Sequence, residues 1–185
     1  MRHPTLVVML GLGLAASTAC APRQQAPVNP QAQVLADFTT RINQYVEMRK
    51  KADNGTPSLG QTSQGSSIQM TQEALQKQLI AARPGAKHGD IFTPEISTRF
   101  RSLLRPEVRE RQTRESVASD NPGNVTYKVM APYPENEPLS TVPPNVLASL
   151  PQLPADIEYR FVGKHLILRD ARANLIIDYL ANAIA

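Results

Sequence analysis

Between positions 30 and 52 apolar side chains recur every three or four residues, at Leu35, Phe38, Ile42, Tyr45 and Val46. That period belongs to an amphipathic helix. Asn29 and Pro30 supply a cap and a first-turn proline whose missing N–H costs nothing there, and Asn54-Gly55 ends the run. Asp37, Arg41, Glu47, Lys50 and Lys51 occupy the other face, so the stripe predicts packing on the rest of the domain and not a helix lying on a membrane. Residues 54–67 are rich in Gly, Ser, Thr and Gln without a hydrophobic period and predict a flexible linker. A second helix fits 71–83, with Leu75, Leu79 and Ala82 in register and Pro84-Gly85 as its stop. Thr93-Pro94-Glu95 restarts a helix with cap, proline and first-turn acid in order, and Ile96, Phe100, Leu103 and Leu104 form its inner stripe. Pro106 kinks or ends that helix. Beyond it Glu107 with Arg111 and Glu110 with Arg114 stand at i,i+4 spacing, worth about 0.3–0.5 kcal/mol per pair on a continuous helix.

Residues 132–154 hold seven of the sixteen prolines and predict extended chain, with one helical turn near 144–150. The period then becomes two. Ile157, Tyr159 and Phe161 alternate with Glu158 and Arg160, and Gly163-Lys164 makes a two-residue hairpin turn. This register sets Val162 opposite His165, Phe161 opposite Leu166, Arg160 opposite Ile167, Tyr159 opposite Leu168 and Glu158 opposite Arg169. A loop at 170–173 continues the meander with Leu168 opposite Leu175 and Leu166 opposite Ile177, which places His165 across from Asp178. The expected inner face is Tyr159, Phe161, Leu166, Leu168, Leu175 and Ile177. The outer face carries Val162, Ile167 and Ile176 beside charges and needs partial cover, and residues 125–130 read as a fourth strand. A meander of this size is marginal alone, so the helices are its lid. The fold class is α+β, with about three amphipathic helices packed on a small antiparallel sheet.

The first twenty residues follow neither period. Met1-Arg2-His3-Pro4 gives a positive start, Leu6 to Ala16 is apolar apart from Gly11 and Gly13, and small residues follow, the order of a secretory signal. The apolar run is short for a membrane span of about 20 residues. Residues 1–20 are therefore read as a signal peptide, 21–30 as a polar tether, 31–119 as the helical region, 120–156 as a proline-rich connector carrying one strand, and 157–185 as the β-meander. An uncleaved anchor is the alternative for the first segment. The protein is expected to be exported, and either periplasmic or lipid-anchored in a bacterial envelope. Ser17-Thr18-Ala19-Cys20 resembles the lipobox of bacterial lipoproteins, with Ser17 where that motif carries leucine. The resemblance makes Cys20 a lipidation candidate, with membrane attachment through the lipid. Cleavage by ordinary signal peptidase after Ala19 or Ala21 stays open. Cys20 is the only cysteine, so it has no intramolecular disulfide partner in an oxidising compartment.

Composition narrows the chemistry further. One cysteine, no tryptophan and 41% hydrophobic residues exclude a disulfide-stapled mini-protein, a thiolate zinc site and a polytopic membrane protein. Lys+Arg 20 against Asp+Glu 16 leaves a net charge of only +4, with no polyanion-binding tail. Arg99, Arg101, Arg105, Arg109, Arg111 and Arg114 nevertheless put six arginines in sixteen residues. Four glutamates stand among or beside them and only Phe100 interleaves as an aromatic, so the expectation is a solvated charged face and no nucleic-acid partner. His88 and His165 are the histidines beyond the signal; they lie in separate regions of the sequence, and no HExxH, CxxC, GxSxG or phosphate-cradling glycine loop accompanies them. His165 facing Asp178 reads as a structural pair. Asp90 orients the loop before Thr93. No catalytic, cofactor-binding or metal residue is assigned, and no cofactor is expected.

Lys87-His88-Gly89-Asp90-Ile91-Phe92-Thr93-Pro94 with Phe100-Arg101, and Leu150-Pro151-Gln152-Leu153-Pro154 leading into the hairpin and Asn174-Leu175-Ile176-Ile177-Asp178, resemble a recurrent group of exported bacterial proteins that has no known activity to lend. The closing tyrosine, glycine and apolar-strand pattern is similar to the C-terminal part of small periplasmic proteins of nickel and cobalt homeostasis, over about 35 residues, and implies no metal site here. The expected function is a non-catalytic envelope protein that binds or scaffolds an envelope partner, with the oligomeric state open. The alternative is a hydrolase-like enzyme or metal-binding protein, whose site would join His88, Asp90 and Arg99 in one polar cleft.

Overall fold

The computed structural model describes residues 29–55, 65–119, 121 and 127–184. The signal, Cys20, most of the tether and most of the 54–67 linker lie outside the described residues. Helix α1 spans Pro30–Asp53, and Asn29 caps it by accepting the Gln31 N–H at 3.0 Å. Its buried stripe, Phe38, Ile42, Tyr45 and Val46, is the expected one extended by Arg49. Helix α2 spans Gly65–Ala82 and starts six residues before the first expected turn. Within it Thr71 Oγ1 donates back to the Ser67 carbonyl at 3.0 Å.

Helix α3 spans Pro94–Arg109, capped by Thr93, and buries Ile96, Ser97, Phe100 and Leu104. Pro106 does not end it; the helix runs about one further turn and stops at Glu110, whose φ −66° and ψ 132° are extended. Helix α4, Arg111–Ser119, begins directly after this break. The break cancels both expected ion pairs. Arg111 bonds Glu115 at 2.7 Å instead, and Glu107 accepts from Asn145 at 2.9 Å. A one-turn helix α5 covers Pro144–Ser149.

Strands β1 (Ile157–Val162), β2 (His165–Asp170) and β3 (Leu175–Leu180) form an antiparallel sheet in sequence order. All five expected pairs of β1 with β2 are present. The β2–β3 pairing differs. Asp170 Oδ1 accepts the N–H groups of Arg172 and Ala173, both at 3.0 Å, which closes the loop over 171–174 and sets Asp170 opposite Leu175. The register then shifts at Leu168/Arg169: Arg169 faces Ile176, but Leu168 faces Asp178 and Leu166 faces Leu180. The extra residue on β3 is Ile177. Such a bulge re-aims the residues that follow it, so Asp178 lies on the side of Leu168, toward the helices, instead of opposite His165.

No strand forms over the described residues 127–130 of the expected fourth strand. Pairing with β3 begins only at the last of these residues, through Met130 N to Ile176 O (2.7 Å), Ile176 N to Ala131 O (3.0 Å) and an isolated bridge at Pro132 with Leu175. Proline lacks the donor that would extend that ladder.

The fold is α+β. Its main core joins the inner sheet face (Tyr159, Phe161, Leu166, Leu168) to Phe38, Phe92, Phe100 and Leu104. Phe100 contacts Phe38 and Phe92 with ring centroids 4.7 and 5.1 Å apart. Leu175, expected in that core, sits instead with Leu75, Leu79 and Ala173. The outer sheet residues Val162, Ile167 and Ile176 are covered by Tyr133, with Tyr127 and Tyr179 beside them.

Candidate functional site

Two places concentrate polar chemistry. The first surrounds Asp178, which is fully buried. Its carboxylate accepts the N–H groups of Gly89 (3.1 Å), Ile91 (2.7 Å) and Phe92 (2.9 Å), together with that of Tyr179 (2.8 Å). Gly89 has φ +89°, the left-handed backbone that lets three nearby amides point at one acceptor. His88 Nδ1 lies 3.4 Å from Asp178 Oδ1, and the His88 ring stacks on Tyr179 at 4.0 Å. His165 meets the same Tyr179 edge-on at 6.4 Å, and Tyr127 packs on both rings. The two histidines, distant in sequence, therefore share one aromatic neighbour. Burial and the nearby His88 charge push the His165 pKa down, and its Nδ1 accepts the Asn182 N–H at 3.2 Å.

This cluster holds shape. Every oxygen of Asp178 is engaged by backbone donors, which leaves it no free lone pair directed at a substrate. Asp90 accepts from the Lys87 N–H and from Arg83, while its carbonyl accepts from Arg41. Arg99 bonds Ser102. No described contact joins His88, Asp90 and Arg99 in one cleft, and no group of three or more His, Cys, Asp or Glu among the described residues is placed to hold a metal ion.

The second place is a groove of about 720 Å³ between α3, α4, the β1–β2 turn and the chain after β3. Arg101, Arg105 and Arg109 repeat every four residues along α3 and so share one side of it. The break at Glu110 turns the chain, and α4 brings Arg114 to the same groove; Lys164 adds a fifth cation from the hairpin turn. Val117 and Ala183 are buried and Val108 and Ile184 half-buried, whereas Arg105, Arg109, Arg114 and Lys164 are exposed. The groove thus has an apolar floor and a cationic rim.

The rim is unneutralised. Arg105, Arg109, Arg114 and Lys164 make no side-chain hydrogen bond or ion pair among the described residues, and Arg101 donates only to the Ala181 carbonyl at 2.7 Å. No acidic residue lines the groove among the described residues. Of the nearby glutamates, Glu107 accepts from Asn145 and Glu115 from Arg111. The walls are held firmly: Asn121 exchanges two hydrogen bonds with Gly163 (2.8 and 2.6 Å), and Lys164 O accepts from Ala183 and Ile184.

Four of the six clustered arginines therefore assemble with a lysine that the sequence did not single out. The four-residue spacing of Arg101, Arg105 and Arg109 was the available signal; Lys164 and Ile184 carried none. Cys20 lies outside the described residues. No described helix is long and apolar enough to cross a membrane. The chain matches no protein-family model, no curated protein and no solved structure.

Proposed function

We propose that the protein is exported and acts in the cell envelope by binding an anionic partner in the groove between α3, α4 and the β1–β2 turn, without transforming it. The observation that carries this reading is the row of unpaired cations over an apolar floor. Like charges gathered without counter-ions raise one another's energy and favour an incoming anion, and in a concave site that attraction is focused. The charged start, apolar run and small residues of positions 1–20 support export, and Cys20 supplies the candidate lipid attachment.

A photo-crosslinking residue at Val108, on the groove, is expected to give an adduct in intact cells. The same residue at Glu73, exposed on α2, is expected to give none. Arg105→Glu with Arg109→Glu should abolish the Val108 adduct. Equal adducts from both positions, or none from Val108, would contradict the reading.

A second reading, a metal-binding or hydrolytic protein, draws on the approach of both histidines to Tyr179. It has less support, because Asp178 is saturated by amides and no nucleophile stands beside His88. Calorimetric titration with nickel, cobalt or zinc, compared with His88→Ala, distinguishes it: a stoichiometric metal signal lost in the variant would favour this reading over the first.

A further inference from the structure

We infer that the anion taken by this groove is the phosphate headgroup of a single-chain amphiphile, with its alkyl chain on the apolar floor. The inference rests on the binding reading above and names its ligand class. Several features of the groove point there together. Its volume of about 720 Å³ is that of a small-molecule site, within the usual range of about 300–1,000 Å³. Its cations converge from α3, α4 and the hairpin turn on one concavity, so they suit a compact headgroup more than an extended polyanion.

The charge count favours phosphate over carboxylate. Five cations exceed what one carboxylate can neutralise, and a phosphate monoester brings about −1.5 to −2 with three acceptor oxygens, which the arginine forks match in pairs. The floor supplies the second half of the ligand. Val108, Ala118 and Ile184, the part of the apolar lining that solvent still reaches, offer no hydrogen bond from their side chains; an aliphatic chain would cover them where a bare ion would leave them wet. No aromatic residue lines the groove among the described residues, so they offer no stacking platform of the kind single-stranded nucleic acid uses. The site is preorganised, since the Asn121–Gly163 clamp and the bonds of Ala183 and Ile184 to Lys164 fix the wall before a ligand arrives.

The test is isothermal titration of the purified protein with dodecyl phosphate below its critical micelle concentration. Inorganic phosphate, dodecyl maltoside and an acidic decapeptide are titrated in parallel. One dodecyl phosphate is expected to bind per chain, about a hundredfold tighter than inorganic phosphate because each buried methylene adds to affinity, and more tightly than the uncharged detergent or the peptide. Arg105→Glu with Arg109→Glu, both exposed, should weaken it at least about tenfold with an unchanged thermal melt. Val108→Ser should weaken dodecyl phosphate but leave inorganic phosphate unchanged.

Equal binding of phosphate and dodecyl phosphate would overturn the amphiphile and leave the binding reading standing, as would tighter binding of the peptide. Equal binding of the maltoside would make the site merely apolar and overturn both, and so would binding of none of the four.

Discussion

Asp178 is fully buried, and backbone amides engage both of its carboxylate oxygens. It stands on β3 and holds the 88–92 loop by three backbone amides, while Asp170 at the end of β2 accepts from Tyr45 (2.9 Å) and Arg49 (3.4 Å) of α1. Burial, reinforced by the Asp170 charge and that hydrogen bond, pushes the Tyr45 phenol well above its ordinary range. Asp178 thus ties a loop to the sheet, and Asp170 a helix. Asp178→Asn replaces an acceptor by an NH2 group facing backbone donors. It is expected to lower unfolding stability by about 2–4 kcal/mol, read from denaturant midpoints, because an amide left unpaired in the core costs its desolvation. A loss below the error of the midpoint would show that the loop is held by packing alone. The caps Asn29 and Thr93 were legible as residues, because cap and proline are local signals. The role of Asp178 was not: one bulge residue, Ile177, exchanges the sheet face of everything after it, and bulges leave no period in the sequence.

At the scale of elements, periodicity located helices and strands and misplaced their joints. The β1–β2 register followed from a two-residue turn, whereas the β2–β3 register depended on Asp170 closing its own loop. The α3–α4 break has a further consequence, since it brings Arg114 of α4 to the groove that Arg101, Arg105 and Arg109 of α3 line. The turn after β3 carries a pH response. Its Asn182 N–H is accepted by His165 Nδ1, which must be unprotonated, and burial together with His88 lowers the His165 pKa from 6.5. Below pH 6.5 the unfolded chain therefore takes up this proton first. Stability from this group is complete above that pH, falls as pH drops toward the lower folded value and then levels off. Urea midpoints between about pH 7.5 and 5 should show the fall in the wild type and a shallower one in His165→Asn, which keeps an acceptor. Glu158 responds in a separate, more acid window. Burial alone would raise its pKa, but hydrogen bonds from Arg160 and Arg169 outweigh that and hold it below 4.5, so its contribution is lost only as pH falls through that lower value. Parallel slopes in wild type and His165→Asn would contradict the assignment.

Across the whole molecule, the α+β class was legible because a helical period gives way to a strand period at about residue 157. The candidate site was half legible. Its α3 cations lie at regular spacing, but the α4 cation, the hairpin lysine and the apolar floor meet them only after the chain breaks at Glu110 and the meander returns. Counting arginines against glutamates along the sequence suggested a solvated charged face; the arginines are largely exposed as expected, and folding gathers four of them with Lys164 around one groove. That gathering is the central claim, and amide chemical-shift mapping tests it most directly. Dodecyl phosphate added to the 15N-labelled protein is expected to shift Val108, Val117, Gly163, Lys164, Ala183 and Ile184 together, at one saturating concentration. Shifts confined instead to the groove beside β1 lined by Leu147, Leu153 and Tyr159, or scattered over the surface, would contradict it.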